Sequence, residues 1–163
     1  MMKKIPINRL DEGIRLCANN IRRFLQDVEL LLKNSSEWHA IAMAIFAYEE
    51  IAKYAELKKA KSTATSDSVE ICSRLFYDHE YKQDIAYELI EDNESVVLLA
   101  ESDLLPHFQT EKVEVKPKLR LDCLFVDWCE KNEQWRHGQP YLPSNIRRFK
   151  EEIAKALDRL QSN

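Results

Sequence analysis

Two adjacent carboxylates, Glu49 and Glu50, follow nine consecutive apolar residues from Ala40 to Tyr48. Glu50 lies two helical steps, about 200°, from Tyr48 and so points away from the apolar seam, whereas Glu49, one step on, borders it. A carboxylate held near a core is a candidate functional group. Glu49 also stands four residues before Lys53, so the pair equally fits a solvated face with an intrahelical ion pair. His79 falls on the apolar seam of a later helix, with Lys82 three residues on. An imidazole there is either a satisfied core histidine or a general acid–base group. If the two helices are neighbours, Glu49 can orient His79.

Arginines supply the second part of such chemistry. Arg74 precedes His79 by five residues. On one continuous helix their side chains stand about 140° apart, so they converge only if the helix bends or begins between them. Arg120 and Asp127, seven apart, share a face of a predicted helix, where the arginine fits a phosphate clamp or a plain surface ion pair. The expected acting residues are His79, Arg74, Glu49 and Arg120, with Lys53, Lys82, Asp127 and Glu50 in binding roles. Glu49, Lys53, His79, Lys82, Arg120 and Asp127 are expected to line one pocket between helices. No metal or cofactor is expected. His39, His79, His107 and His137 lack i, i+4 spacing, and there is no HExxH, Walker loop, GxGxxG or GxSxG.

The elements that must position these residues read as helices. Ile14, Cys17, Ile21, Phe24, Val28 and Leu31 form one stripe of a helix over about 9–32, with Asn8 or Asp11 as candidate caps. A second helix, about 37–61, follows a serine that can cap it. It is apolar on nearly every side, as a central helix is. Residues 62–68 read as a polar linker. A third helix is expected from about Asp67 to Glu91, then a short one over 94–105 ended by Pro106. Residues 112–118 read as an extended connector, and 118–132 as helix. A loop from His137 to Pro143 precedes a last helix capped by Ser144, with Ile146, Phe149, Ile153, Ala156 and Leu160 on its inner face. The fold class expected is all-α, a bundle of four main helices plus short ones, in a single domain over 1–163 with its core at about 9–160.

Composition agrees. The 163 residues contain only two glycines, and none lies between Gly13 and Gly138, which disfavours Gly-dependent parallel α/β folds and β-sandwiches. Apolar residues make up 45% and charged residues 32%, as in a helical globular domain. No apolar run reaches membrane-span length and no secretory leader is read, so a cytoplasmic, membrane-free protein is expected. Four scattered cysteines without a CxxC fit reduced core residues. The net charge is −4, unlike a general nucleic-acid coat protein. Residues 1–33 carry +3, whereas residues 70–103 carry −8, which repels a polyanion from the middle of the chain.

The residues also carry a family resemblance. Asp11–Ile14, then Asn19–Asn20, the block Tyr48–Lys53 (YEEIAK), Asp78–His79 with Lys82, Leu124–Asp127 and a Pro-containing loop resemble, in this order, the AbiV family of abortive-infection proteins within the HEPN superfamily. The resemblance spans roughly residues 9–160. It implies a HEPN-like helical bundle, and a bacterial cytoplasmic protein acting against phage by stopping translation or damaging RNA. Many HEPN domains are dimeric, metal-independent endoribonucleases whose signature is an Arg, four to six residues, then a His. Arg74 and His79 fit that spacing. The helix from Arg120 stands where the signature is expected, with Phe125 in the place of the His. A homodimer is expected, also because the second helix is too apolar to be covered by the first and third alone. RNA, a translation component or a phage protein are the partners implied. The alternatives are a non-catalytic interaction protein built on the same bundle and an unrelated helical adaptor.

Overall fold

An amphipathic helix followed by one that is apolar all round must pack with the second inside the first and its neighbours. A computed structural model describes residues 1–91, 127–129, 134–136 and 143–162. Among them the elements are β1 (Met2–Pro6), α1 (Ile7–Lys33), α2 (Glu37–Ser62), β2 (Ser68–Cys72), α3 (Arg74–Tyr77), α4 (His79–Leu89), β3 (Asp127–Cys129), β4 (Gln134–Arg136) and α5 (Pro143–Ser162). The fold is mostly helical and HEPN-like, with two small two-stranded sheets among the described residues.

α1 buries Leu10, Cys17, Ala18, Ile21, Leu25, Val28 and Leu32, one stripe at three- and four-residue steps. α5 buries Ile146, Phe149, Ile153, Ala156 and Leu157 in the same manner. α2 lies between them. α1, α4 and α5 pack on it, and Ala40, Ala42, Ala44, Ala47 and Ala52 are each fully buried. These small side chains let three helices approach α2 closely. Tyr48 stacks at a tilt on Phe149, with ring centroids 5.3 Å apart. Because α1, α4 and α5 of the same chain already cover α2, its apolar circumference gives no reason for a second copy.

Several expected boundaries move. The linker is present as residues 63–67, but the start of the third helix is instead β2, which pairs antiparallel with β1: Lys4 faces Glu70 and Ile5 faces Val69. Opposite charges and β-branched neighbours favour that pairing, which the local helical reading of 67–77 could not register. The third helix is broken into α3 and α4 at Asp78, whose backbone is extended (φ −94°, ψ 112°). Residues 127–129 form β3 rather than helix, with Trp128 opposite Trp135 of β4; aromatic residues favour strands. α1 starts after Pro6 without a side-chain cap, so neither Asn8 nor Asp11 caps it, and Ser36 makes no capping bond to α2. The last helix begins at Pro143, one residue before the expected Ser144 cap. Residues 94–105, 112–118 and 137–142 lie outside the described residues.

Candidate functional site

The break at Asp78 builds the site. Asp78 Oδ1 accepts the backbone N–H of Tyr81 at 3.1 Å, the N-cap bond that starts α4. His79 is therefore the first residue of α4. Lys82 and Gln83, three and four residues on, fall on the same face of the helix as His79. That face meets α2 at Glu49.

Glu49 is only 3% exposed, and both its oxygens are engaged. Oε2 stands 2.6 Å from His79 Nδ1 and 3.1 Å from Lys82 Nζ. Oε1 accepts the side-chain amide of Gln83 at 3.1 Å. Lys82 Nζ is also 3.3 Å from His79 Nδ1. Behind them the Tyr48 hydroxyl donates to the Gln83 carbonyl at 3.3 Å, a second tie between α2 and α4. The carboxylate, ammonium and amide are buried, whereas the imidazole is 36% exposed and meets solvent. A buried carboxylate holding one nitrogen of a partly exposed imidazole is an arrangement for proton transfer at the ring.

Glu50 points the other way, toward α1. It lies beside the Cys17 thiol and pairs with Lys53 at 2.5 Å. Burial, and secondarily the Glu50 charge, push that thiol up to about 12. Two expectations are corrected here. Neither glutamate lies on a solvated face, because α4 covers one and α1 the other. Lys53 pairs with Glu50 at i, i+3, not with Glu49 at i, i+4, so it faces the α1 side and not the His79 cluster.

Arg74 is also placed differently from the expected pairing with His79. A helix does begin between them, yet the Arg74 guanidinium binds Asp78 at 2.7 Å and lies 4.8 Å from the centroid of the Tyr81 ring. Asp78, capped onto Tyr81 N–H and paired with Arg74, is held below the usual carboxylate range. Arg120 lies outside the described residues. Asp127 sits in β3 and not in the helix on which it was expected to share a face with Arg120. Of the six residues expected to line one pocket, Glu49, His79 and Lys82 are brought together. Gln83 and Asp78 complete the arrangement; neither is among the expected site residues, although Asp78 belongs to the Asp78–His79 motif of the resemblance. Each had a signal: Gln83 is a polar residue on a core-facing seam, and Asp78 precedes Tyr81 by the three residues of an N-cap bond.

Against the known families, the model of the HEPN-type family AbiV matches residues 9–157. The chain belongs to the AbiV family. It is thus an abortive-infection protein of the HEPN type. Comparisons with curated proteins and with solved structures each found no match. The AbiV match contains Glu49, His79, Lys82 and Gln83, and it runs from α1 into α5. Among the described residues no three or more His, Cys, Asp or Glu side chains are grouped to hold a metal ion, and no helix is long and apolar enough to cross a membrane.

Proposed function

We propose that this AbiV protein is an anti-phage effector of the bacterial cytoplasm that cuts RNA without a metal ion, with His79 as its proton-transferring group. The observation that carries the reading is the 2.6 Å contact between a buried carboxylate and a solvent-reached imidazole. In this reaction His79 Nδ1–H donates to Glu49 and Nε2 takes the proton of a ribose 2′-hydroxyl. The 2′-oxygen then bonds to phosphorus as the bond from phosphorus to the 5′-oxygen breaks. The leaving oxygen takes up a proton, and the products are a 2′,3′-cyclic phosphate and a 5′-hydroxyl. Arg74, half-exposed one short helix earlier, or Arg120 offsets the charge developing at phosphorus. The active form is a homodimer, and positive charge in residues 1–33 offsets the acidic middle of the chain for an RNA ligand.

One observation favours a second reading. Both Glu49 oxygens are engaged and Lys82 balances its charge, as expected of a polar staple between α2 and α4 in a non-catalytic protein that blocks a translation component or senses a phage protein. Expression in bacteria separates the two. Mapping of RNA 5′ ends should show new 5′-hydroxyl ends with the parent protein and none with His79→Ala. Equal toxicity of both proteins with intact RNA would overturn the ribonuclease reading and favour the second.

A further inference from the structure

We propose that Met1 and β1 form a strap that positions the candidate site: by clamping Ser73 it sets Arg74 and, through Asp78, the first turn of α4. Its consequence for RNA cleavage rests on the function proposed above; the clamp itself is read from the geometry.

The strap is joined to the site bond by bond. Ser73 is only 1% exposed, and both its N–H, at 3.0 Å, and its hydroxyl, at 2.7 Å, donate to the Met1 carbonyl. That leaves a lone pair on Oγ for the Tyr77 hydroxyl, 3.2 Å away. The Lys3 ammonium lies 4.7 Å from the centroid of the Phe76 ring, a second hold on α3. Within α3, Phe76 N–H donates to the Ser73 carbonyl at 3.0 Å and Asp78 N–H to the Arg74 carbonyl at 2.8 Å. Asp78 then binds Arg74 through one carboxylate oxygen and caps Tyr81 N–H with the other. Its carbonyl accepts the Lys82 N–H at 3.3 Å. α3 is a single turn of four residues, too short to hold a helical shape by itself. Ile71 and Leu75 are buried and anchor the segment to the core, and the Ser73 clamp adds the orientation of its first residue.

The strap itself opens easily. In β1 only Ile5 is partly buried; Met2, Lys3, Lys4 and Pro6 are exposed. A two-stranded ribbon is marginal without packing, so β1 is held mostly by its ladder with β2 and opens at lower cost than the core helices. The phase of the ladder decides which N–H groups hold it. Ser73 N–H reaches the Met1 carbonyl and Ile7 N–H reaches the Asp67 carbonyl, so the hydrogen-bonded pairs between them fall at every second residue. The N–H groups of Lys3 and Ile5 therefore point to β2, and those of Met2 and Lys4 point outward. Pro6, which has no N–H, stands at an outward position.

That phase supplies the test. Proline removes a backbone donor. Lys3→Pro takes one from the ladder, together with the ammonium over Phe76, whereas Lys4→Pro, one residue on, takes one that faces away. Amide hydrogen exchange followed by NMR reads the result at Tyr81 and Lys82 in the first turn of α4. Lys3→Pro should speed exchange there by roughly two- to tenfold, the range set by the net loss of one hydrogen bond, with the amides of α1 and α5 unchanged. Lys4→Pro should match the parent protein. Ser73→Ala removes the clamping hydroxyl without touching β1 and should speed the same two amides, which covers the case of Lys3→Pro failing to fold. Unmoved exchange in Ser73→Ala or in folded Lys3→Pro, or equal acceleration by the two proline variants, would overturn the proposal. RNA left intact by the parent protein would sink the ribonuclease reading and spare the strap. RNA cut at the parent rate by a Lys3→Pro protein of unmoved exchange would do the reverse.

Discussion

With its side chain 4% exposed, Glu49 relies on His79, Lys82 and Gln83 where a surface carboxylate relies on water. Removing it strands the ammonium of Lys82 in the interior, and breaking a buried pair from one side costs about 3–5 kcal/mol. Glu49→Ala should therefore lower the urea-unfolding free energy by about that amount. The double variant with Lys82→Met should lose less than the sum of the two single changes, because no lone charge remains buried. Equal and additive losses would show that the two side chains do not act as a pair. Cys17 gives a pH prediction at the same scale. Its thiol is raised in the folded state from an ordinary value near 9 to about 12. The folded chain thus holds a proton that the unfolded chain releases. The associated stability is complete below the ordinary thiol range and is lost as pH rises from about 9 toward about 12. Cys17→Ala should flatten that alkaline loss in denaturant titrations. In the native parent at pH 8, mapping after alkylation should find Cys17 unmodified, since burial is the larger cause of its inertness.

Elements turn these side chains into a site. α4 exists where it does because Asp78 caps it, and the cap sets the phase that brings His79, Lys82 and Gln83 onto Glu49. Asp78→Asn retains an acceptor for the Tyr81 N–H, whereas Asp78→Ala does not. The alanine variant should show the greater fall in melting temperature, together with disturbed His79 resonances. Because Asp78 is held low in the folded state, its contribution is present above the ordinary carboxylate range and fades as pH falls through its lowered value. The interior of α2 is equally demanding. Ala47 is fully buried among neighbouring helices, so Ala47→Leu should destabilise by about 1–3 kcal/mol in urea titrations through overpacking. These cases also show what was legible beforehand. The stripes of α1 and α5 and the buried character of α2 are periodic, local patterns, and they appear in the structure as read. So does the meeting of Glu49 with His79, since two anomalous polar residues on apolar seams must face something polar. β1 and β2 were illegible because Lys4 and Glu70 pair across more than sixty residues, and single-strand text near Val69 carries no sign of its partner. The partner of Lys53 is not legible locally, because i, i+3 and i, i+4 spacings both suit an ion pair, and the structure pairs it with Glu50. The fate of each adjacent glutamate depends on which helix arrives at that side of α2, a tertiary fact.

Across the whole molecule, charge sets the hardest condition on the proposed activity. The segment 70–103 carries −8 and contains His79, so an RNA strand must be drawn in by positive charge elsewhere. Some of that charge is on α1 and α5, where Lys33, Arg147 and Lys150 all act on Glu29. A homodimer would double the positive surface available. Sedimentation at micromolar concentration should accordingly give a dimer, and a monomer at every concentration tested would remove that source of charge. The central claim is that His79, held by Glu49, performs chemistry on RNA. The most direct measurement is incubation of the purified protein with end-labelled RNA in EDTA, with analysis of the product termini. The account predicts fragments ending in 2′,3′-cyclic phosphate and 5′-hydroxyl groups, formed by the parent and absent with His79→Ala. Intact RNA with the folded parent protein, or equal cleavage by the parent and His79→Ala, would contradict it.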